Sequence, residues 1–269
     1  MTTQNTIPLP ETEIPNAARI YDYTLEGTFN VETDRQAAEY MFHLVPSTRK
    51  WVKLLRSFLQ EVARELYAEG FTQFLDLGSG LPTTDHIHTV VPKARVIYCD
   101  NDPLTVEYGQ ALLKDVPNAH YILGDLTNPA EILDSPVVKS VIDPSQKVAI
   151  GLNAVLTHLR WNEIKSLAET LYGWAPDGSK IYETVETKEI GKTTPQFQQF
   201  LAIFQQAGSP MYMMSLEENM EVMRPWHFIR IEPVADYLER DRNYITEADR
   251  EGVGLEFYAA LLGKYGSGR

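Results

Sequence analysis

The feature that most constrains the fold is a regular alternation of short apolar strands with helices, which begins at Phe71. The predicted strands are Phe71–Leu77, Ala94–Cys99, His120–Leu123, Lys147–Leu152 and Lys180–Val185, and helical patterns lie between them near Asp85–Val90, Pro103–Lys114, Pro129–Leu133 and Trp161–Tyr172. Such an alternation indicates a parallel sheet with helices on both faces. The predicted fold class is therefore α/β, with a doubly wound sheet and right-handed crossovers.

The segments on either side extend this pattern without a linker. Before it, Pro46 and Ser47 open a helix that Gly70 ends. Its apolar residues recur every three or four positions, at Trp51, Leu54, Leu55, Phe58, Val62 and Leu66. After the alternation come a helix at Pro195–Gln206, the segment WHFIRIEP, the helical VADYLERD and a final strand, LEFYAALLGKY. We expect one domain with seven strands.

Composition and charge argue against several classes of protein. The 269 residues carry a formal charge of −13, and an acidic surface repels phosphate backbones, so nucleic acid is not expected as a partner. No apolar run reaches about 18 residues, so no membrane-spanning helix is expected. The single cysteine, Cys99, fits a reducing compartment, and the start of the chain lacks a secretory pattern. A cytoplasmic location is predicted.

The stretch FTQFLDLGSGLPT places two glycines one residue apart at the end of a strand. In a doubly wound sheet, ligands bind beyond the carboxyl ends of the strands, and Gly78 and Gly80 allow the backbone to approach a ligand closely. The next strand ends in Asp100, whose carboxylate can accept hydrogen bonds from both hydroxyls of a ribose. The turn and this acid together indicate a nucleoside-binding site.

Two residues distinguish between nucleoside ligands. A dinucleotide fingerprint has a third glycine, but Thr83 stands at that position. Asp76, directly before the turn, adds a negative charge that disfavours a pyrophosphate and favours a ligand with an ammonium and a sulfonium group. An NAD-type oxidoreductase stays open at this point as a less favoured alternative.

The sequence resembles the class I S-adenosylmethionine-dependent methyltransferases in three features. These are the pattern D-x-G-x-G, an acid at the end of the second strand, and Gly124-Asp125-Leu126 at the end of the third. Four segments together resemble a bacterial group of S-adenosyl methyltransferases without an assigned substrate. They are PNAARIYDYTLEGTFNVETDRQAAE, LDLGSGLPT, YCDNDP and AVLTHL. The resemblance runs from about Pro15 to the C-terminus. The sequence departs from the pattern expected of the group at Glu26–Phe29, where that pattern has a lysine. Asn30, Asp34 and Arg35 match the pattern.

The resemblance implies S-adenosylmethionine as cofactor, S-adenosylhomocysteine as product and a set of binding residues. That set is Asp76, Gly78, Ser79, Gly80, Asp100, Asn101, Asp125, Leu126, Asn153 and Tyr23. It also implies a Rossmann-like sheet of seven strands, mostly parallel, with an antiparallel last strand. The predicted division is a flexible leader at 1–14 and a single domain at 15–269, in which 15–69 is an N-terminal helical extension or lid, 70–185 the cofactor-binding half and 186–269 the substrate-side half.

No catalytic residue is established by the sequence, and the candidates are His158 and Tyr21. His158 follows the fourth strand, where it could be a general base or a locally bonded histidine. Tyr21 and Tyr23 lie on an arm that is either a lid over the cofactor or a helix packed on the sheet. His86 and His88 lack a third ligand at a recognisable spacing, so no metal is predicted.

The predicted function is methyl transfer from S-adenosylmethionine to a small-molecule acceptor. Because a methyl transfer needs a base only when the acceptor must lose a proton, the lack of an evident base is compatible with an enzyme. It is equally compatible with a non-catalytic, S-adenosylmethionine-binding regulatory protein, which is the main alternative. The sequence does not decide between a monomer and a homodimer.

Overall fold

The structure is a computed structural model that describes residues 13–83, 85–187, 194–240 and 244–265. Residues 1–12, which make up most of the predicted leader, lie outside the described residues. Within the described ranges, every helix is too short or too polar to cross a bilayer.

A single sheet of seven strands forms the centre of the chain. Its strands are β1 (Gln73–Leu77), β2 (Arg95–Asp100), β3 (Ala119–Leu123), β4 (Ala149–Leu152), β5 (Lys180–Thr187), β6 (His227–Pro233) and β7 (Glu256–Gly263). Their order across the sheet is β3-β2-β1-β4-β5-β7-β6. Strands β1 to β5 pair in parallel, and β7 runs antiparallel to both β5 and β6. The predicted α/β class with an antiparallel last strand is confirmed.

Helices precede the sheet and cover both of its faces. They are α1 (Ala17–Thr24), α2 (Glu32–Leu44), α3 (Thr48–Ala68), α4 (Ile87–Val90), α5 (Pro103–Leu112), α6 (Pro129–Asp134), α7 (Pro136–Val141), α8 (Trp161–Trp174), α9 (Pro195–Gln206), α10 (Leu216–Val222), α11 (Val234–Tyr237) and α12 (Glu247–Val253), with a 3₁₀ turn at Leu156–His158. Capping residues in the sequence determine where several of these helices begin. Asp102, for example, accepts a hydrogen bond from the Thr105 amide, and Pro103 occupies the first helical position of α5.

The core consists of two layers, one on each face of the sheet. Alternate residues of a strand point to opposite faces, so Phe74 and Tyr182 pack on one side while Leu75 and Ile181 pack on the other. The apolar stripe predicted for α3 is buried on the first side, as the helical spacing requires. Burial of each large side chain stabilises the fold by about 1.5–3 kcal/mol.

The N-terminal helices are tied to each other by buried polar groups. Asp34, which is fully buried, accepts hydrogen bonds from Arg19 Nε at 2.7 Å, the Asn16 amide at 2.9 Å and the Val31 amide at 2.9 Å. Arg19 is itself 3% exposed. A buried ion pair of this kind is costly to break, because the remaining charge is left in a low dielectric. The arm that the sequence left open as a lid or a packed segment is therefore held at α1 by a buried anchor.

We expect Asp34→Ala to lower the free energy of unfolding by about 3 kcal/mol or more, because it leaves the Arg19 guanidinium buried without its carboxylate. Urea denaturation followed by circular dichroism measures the change. The matched control is Glu32→Ala, which removes the exposed partner of Arg35 and should leave the urea midpoint almost unchanged. Equal effects of the two substitutions would contradict the anchoring role of Asp34.

Candidate active site

A cavity of about 500 Å³ lies at the carboxyl edge of the sheet. Parallel pairing brings the ends of β1, β2, β4 and β5 to this edge, where the crossover turns leave space for a ligand. Of the sequence-predicted residues, the cavity is lined by Asp76, Gly78, Ser79, Gly80, Asp100, Asn101, Asp125, Leu126, Asn153, Tyr21 and His158. The structure thus brings these residues together around one cavity.

The glycine turn after β1 has the backbone conformation that its residues suggested. Gly78 has φ +66° and Gly80 has φ +59°, a region that residues with a side chain rarely adopt. A Cβ atom on Gly78 would lie 2.2 Å from Val155 Cγ2, so the turn also requires a residue without a side chain. The turn is fixed to β2, because the amides of Gly78 and Ser79 both donate to the Cys99 carbonyl, at 2.8 and 3.0 Å.

Asp100, at the end of β2, lies directly beside this turn. Its Oδ2 accepts a hydrogen bond from the Gly80 amide at 3.0 Å, and its Oδ1 accepts one from the Asp102 amide at 3.0 Å. Burial raises the pKa of this carboxyl above its usual range, and the two amides oppose the rise. Each carboxylate oxygen keeps a second lone-pair position, so the group can also accept hydrogen bonds from a ligand.

Asp76, one residue before the turn, is 3% exposed and lies under the cavity. The Tyr182 hydroxyl donates to its Oδ1 at 2.9 Å, and His86 Nε2 lies 3.8 Å from its Oδ2. Burial raises the pKa of Asp76 to about 7 and holds the pKa of His86 well below its usual range, so a neutral histidine is favoured beside the carboxyl. A cationic group bound next to Asp76 would favour its ionised form.

The H-x-H pair serves the packing of the turn. His86 Nδ1 accepts from the Ile87 amide at 3.0 Å, while the backbone and ring of His88 bond the Tyr98 hydroxyl at 3.0 and 2.9 Å. Both imidazole rings also meet the Tyr98 ring edge to face. Across the described ranges, no three His, Cys, Asp or Glu side chains form a group that could hold a metal ion.

Asp125 and Asn153 complete the polar rim. Asp125 is exposed, and its Oδ1 accepts from the Thr127 amide at 2.9 Å. Asn153, at the end of β4, has a buried Oδ1 without a hydrogen-bond partner among the described residues. An unsatisfied buried oxygen is costly unless a ligand or a water pairs with it. The ends of four adjacent strands, β3, β2, β1 and β4, therefore present acceptors to one cavity.

Comparison with known proteins identifies this ligand. The family model for S-adenosyl methyltransferases matches residues 3–232. The chain belongs to the S-adenosyl methyltransferase family. It is an S-adenosylmethionine-dependent methyltransferase, as the sequence motifs indicated, and the family match supersedes the NAD-type alternative.

Solved structures agree with this assignment. A candidate methyltransferase from Thermobifida fusca is 28% identical, with a TM-score of 0.83, over 98% of this chain and 100% of the other. A DUF574 family protein from Streptomyces avermitilis is 25% identical, with a TM-score of 0.82, over 94% of this chain and 98% of the other. Geranyl diphosphate C-methyltransferase from Streptomyces coelicolor, solved with S-adenosyl-L-homocysteine, shares the fold alone, at 11% identity and a TM-score of 0.55 over 95% of this chain and 87% of that one. No curated protein matches the chain.

Arg56 of α3 is a cavity residue that the sequence analysis missed. It is 6% exposed, and its Nε and Nη1 have no hydrogen-bond partner among the described residues. Among the described residues, the one carboxylate within 4.0 Å of its nitrogens is that of Asp85, whose Oδ1 lies 3.4 Å from Nη1 without hydrogen-bond geometry. A buried guanidinium with free N–H groups is suited to a carboxylate. The cavity therefore contains a buried cationic group at Arg56 and a buried carboxyl at Asp76.

Tyr21 and Tyr23 have different environments although both lie on α1. Tyr21 lines the cavity, and the guanidinium carbon of Arg56 lies 5.5 Å from its ring centre. Tyr23 lies outside the cavity, where its hydroxyl donates to Glu39 at 2.8 Å and its ring stacks on Phe42. Residues two apart on a helix face nearly opposite directions, so only one of the two can point to the ligand. The structure therefore does not bring Tyr23 to the predicted site.

His158 lies in the 3₁₀ turn that follows β4. Its Nδ1 is 3.0 Å from the Ser209 carbonyl and 3.3 Å from the Pro210 carbonyl, which assigns the proton to Nδ1 and leaves Nε2 as an acceptor. Burial lowers its pKa, so the neutral form is favoured near pH 7. The local hydrogen bonds and the cavity position that the sequence presented as alternatives are both present.

Buried carboxyls on β5 were also missed. Glu186 is 4% exposed and lines the cavity, while Glu183 is fully buried with both carboxyl oxygens unpartnered among the described residues. Burial raises the pKa of Glu186 to about 7 and that of Glu183 to about 8. The sequence analysis ended this strand at Val185, which left Glu186 outside the sheet.

The raised pKa of Glu183 predicts that stability falls as the pH rises. Between its ordinary pKa of 4.5 and its folded pKa of about 8, the folded state binds more protons at this site than the unfolded state, so raising the pH favours unfolding. The free energy of unfolding of the wild-type protein should therefore fall between about pH 5 and pH 8.5. In Glu183→Gln we expect this fall to be smaller by at least about 1 kcal/mol. Urea titrations at the two pH values measure it, and equal pH dependence in the two proteins would contradict the burial of a titrating carboxyl.

Proposed function

We propose that this methyltransferase acts on a small-molecule acceptor, which binds in the same cavity as S-adenosylmethionine. The observation that carries the proposal is the composition of that cavity. One end has the glycine turn and polar groups, whereas the other has aromatic and apolar side chains of α3, α9 and β7. A pocket with a few directed polar groups and an apolar lining is typical of small-molecule sites.

The cofactor residues are assigned by chemistry and position. Asp100 binds the ribose hydroxyls, Asp125, Asn101 and Leu126 lie on the adenine side, and the amides of the turn at Gly78–Gly80 lie under the methionine part. Asp76 and Asn153 face the ammonium, and Arg56 binds the carboxylate. The assignment of Arg56 is supported by its buried, unpartnered nitrogens, and that of Asp100 by its position 3.0 Å from the Gly80 amide.

When bound, S-adenosylmethionine supplies a methyl group that is already activated by the adjacent sulfonium. The residues of the chain then align the acceptor with that group and exclude water. Tyr21 and Arg56 close the cavity from the side of the N-terminal helices. His158 Nε2 is available as a proton acceptor at the opposite wall, so His158 is the candidate base among the two residues that the sequence indicated.

A cytoplasmic location is part of the proposal. It is supported by Cys99, which is buried and free. Burial raises the pKa of this thiol to about 12, so the cysteine serves the packing of β2 rather than redox chemistry.

The ribose assignment predicts that Asp100→Ala weakens binding of S-adenosylhomocysteine roughly 10- to 100-fold, because two ligand hydroxyls lose a charged acceptor. Isothermal titration calorimetry measures the affinity. 5′-Methylthioadenosine, which has the same ribose but no amino-acid part, should be weakened equally. Asp100→Asn keeps an acceptor for the Gly80 amide and provides a second variant if the alanine variant unfolds. Unchanged affinity in both variants would overturn the assignment.

The Arg56 assignment predicts a different pattern. Arg56→Met should weaken S-adenosylhomocysteine about tenfold but leave 5′-methylthioadenosine unchanged, because only the former has the carboxylate. The two ligands serve as each other's control in the same calorimetric assay. A uniform loss of affinity for both would show that Arg56 maintains the shape of the cavity and does not bind the carboxylate.

A further inference from the structure

The apolar end of the cavity contains a buried carboxyl, that of Glu186, with one oxygen unpaired among the described residues. Glu186 lies on the face of β5 that points to α3, and its Oε1 accepts a hydrogen bond from Thr184 Oγ1 at 3.3 Å. Its Oε2 is buried and has no partner among the described residues. Because burial of an unpaired carboxyl oxygen is costly, this atom is poised to receive a hydrogen from a ligand.

Aromatic side chains line the same cavity as this carboxyl. We call Trp51, Phe200, Phe204 and Phe257 the aromatic wall, and all four line the cavity. Phe257 of β7 stands directly opposite Glu186 in the strand register, and its ring stacks on Trp51 with 4.3 Å between the ring centres. The rings of Phe200 and Phe204 are 5.4 Å apart. A flat apolar body suits this wall.

The aromatic wall also contains one unpaired donor. Trp51 Nε1 is buried without a hydrogen-bond partner among the described residues, and an indole N–H can only donate. The cavity therefore has a buried acceptor at Glu186 and a buried donor at Trp51 of the aromatic wall. Phe257 stacks on Trp51 and lies opposite Glu186 in the strand register. A hydroxyl or an amine group can pair with either atom, since it donates one hydrogen bond and accepts another.

The carboxyl groups at the cavity limit the charge that the acceptor can carry. An anionic acceptor would lie beside Glu186, whose ionised form repels it. An amine that keeps its proton as ammonium has no lone pair with which to receive a methyl group. The neutral form of a hydroxyl or amine compound avoids both difficulties.

We propose that the acceptor is a neutral molecule with a flat apolar body and one hydroxyl or amine group, and that Glu186 selects it by accepting the hydrogen bond of that group. This inference rests on the proposed function, because it assigns the acceptor of the same cavity. The raised pKa of Glu186, about 7, is consistent with a carboxyl that lacks a cationic partner.

Three ring-matched probes test the inference: 2-naphthol, 2-methoxynaphthalene and 2-naphthoate. Their binding is measured by calorimetry on the full chain, with S-adenosylhomocysteine saturating and again without it. The wild-type protein should bind 2-naphthol at least about tenfold more tightly than either other probe, because only 2-naphthol donates a hydrogen without bringing a negative charge. Equal affinity for 2-naphthol and 2-methoxynaphthalene would overturn the inference.

Substitutions then assign the preference to Glu186. Glu186→Met keeps the length of the side chain but removes the acceptor, so the preference for 2-naphthol over 2-methoxynaphthalene should be lost. Glu183→Met is the matched control, since it makes the same change on the opposite face of the same strand and should keep the preference. Glu186→Gln preserves the shape and should increase the affinity for 2-naphthoate about tenfold, which provides a second measurement if the methionine variant is unstable.

The results distinguish this inference from the function on which it rests. If S-adenosylhomocysteine fails to bind while the 2-naphthol preference is present and depends on Glu186, the proposed cofactor site is wrong and the acceptor subsite stands. If S-adenosylhomocysteine binds but the preference survives in Glu186→Met, the proposed cofactor site stands and Glu186 does not select the acceptor.

Discussion

The parallel pairing of β1 with both β2 and β4 is the constraint on which the site depends. It places the end of β1 between two neighbours that run in the same direction, so Asp76, Asp100 and Asn153 are presented at one edge. The glycine turn is then tied to β2 by two amides that share the Cys99 carbonyl. Because the turn is held at both β1 and β2, its positive φ angles are already present before a ligand binds. Binding therefore costs less conformational entropy.

Unpaired buried polar atoms are the second organising feature. Arg56, Asn153, Trp51 and Glu186 each have a buried polar atom without a partner among the described residues, and all four line the same cavity. Native proteins satisfy the great majority of such atoms, so their concentration at one cavity indicates that ligands are their partners. Glu183, on the other face of β5, and Asn219 of α10 also have unpartnered buried atoms but do not line this cavity.

Sequence analysis predicted the parts of the molecule that local patterns specify. The glycine turn and the order of the strands follow from spacing alone, and the strand ends were predicted to within about two residues. The short helices α7, α10 and α12 were not predicted. Arg56 and Glu186 could not be predicted in this way, because a charged residue on an amphipathic helix or at the end of a strand is usually exposed. Their burial comes from contacts between distant segments: β7 pairs with β5 as far as Thr187, opposite Glu256, which extends the strand past Glu186. Tyr23 was assigned to the site because its pattern did not show which face of α1 would meet the cavity.

The two ends of the cavity draw on different parts of the chain. The polar end is built mainly from consecutive strand ends between residues 76 and 153, whereas the aromatic wall combines α3 with α9 and β7. Residues in such distant segments can be substituted in evolution while the strand ends keep their positions in the sheet. The geranyl diphosphate C-methyltransferase shares the fold at 11% identity, which shows how little of the sequence the sheet requires. In the proposed site, most cofactor contacts therefore come from strand ends, with Arg56 of α3 added, whereas the acceptor subsite combines Glu186 of β5 with side chains of α3, α9 and the antiparallel strand β7.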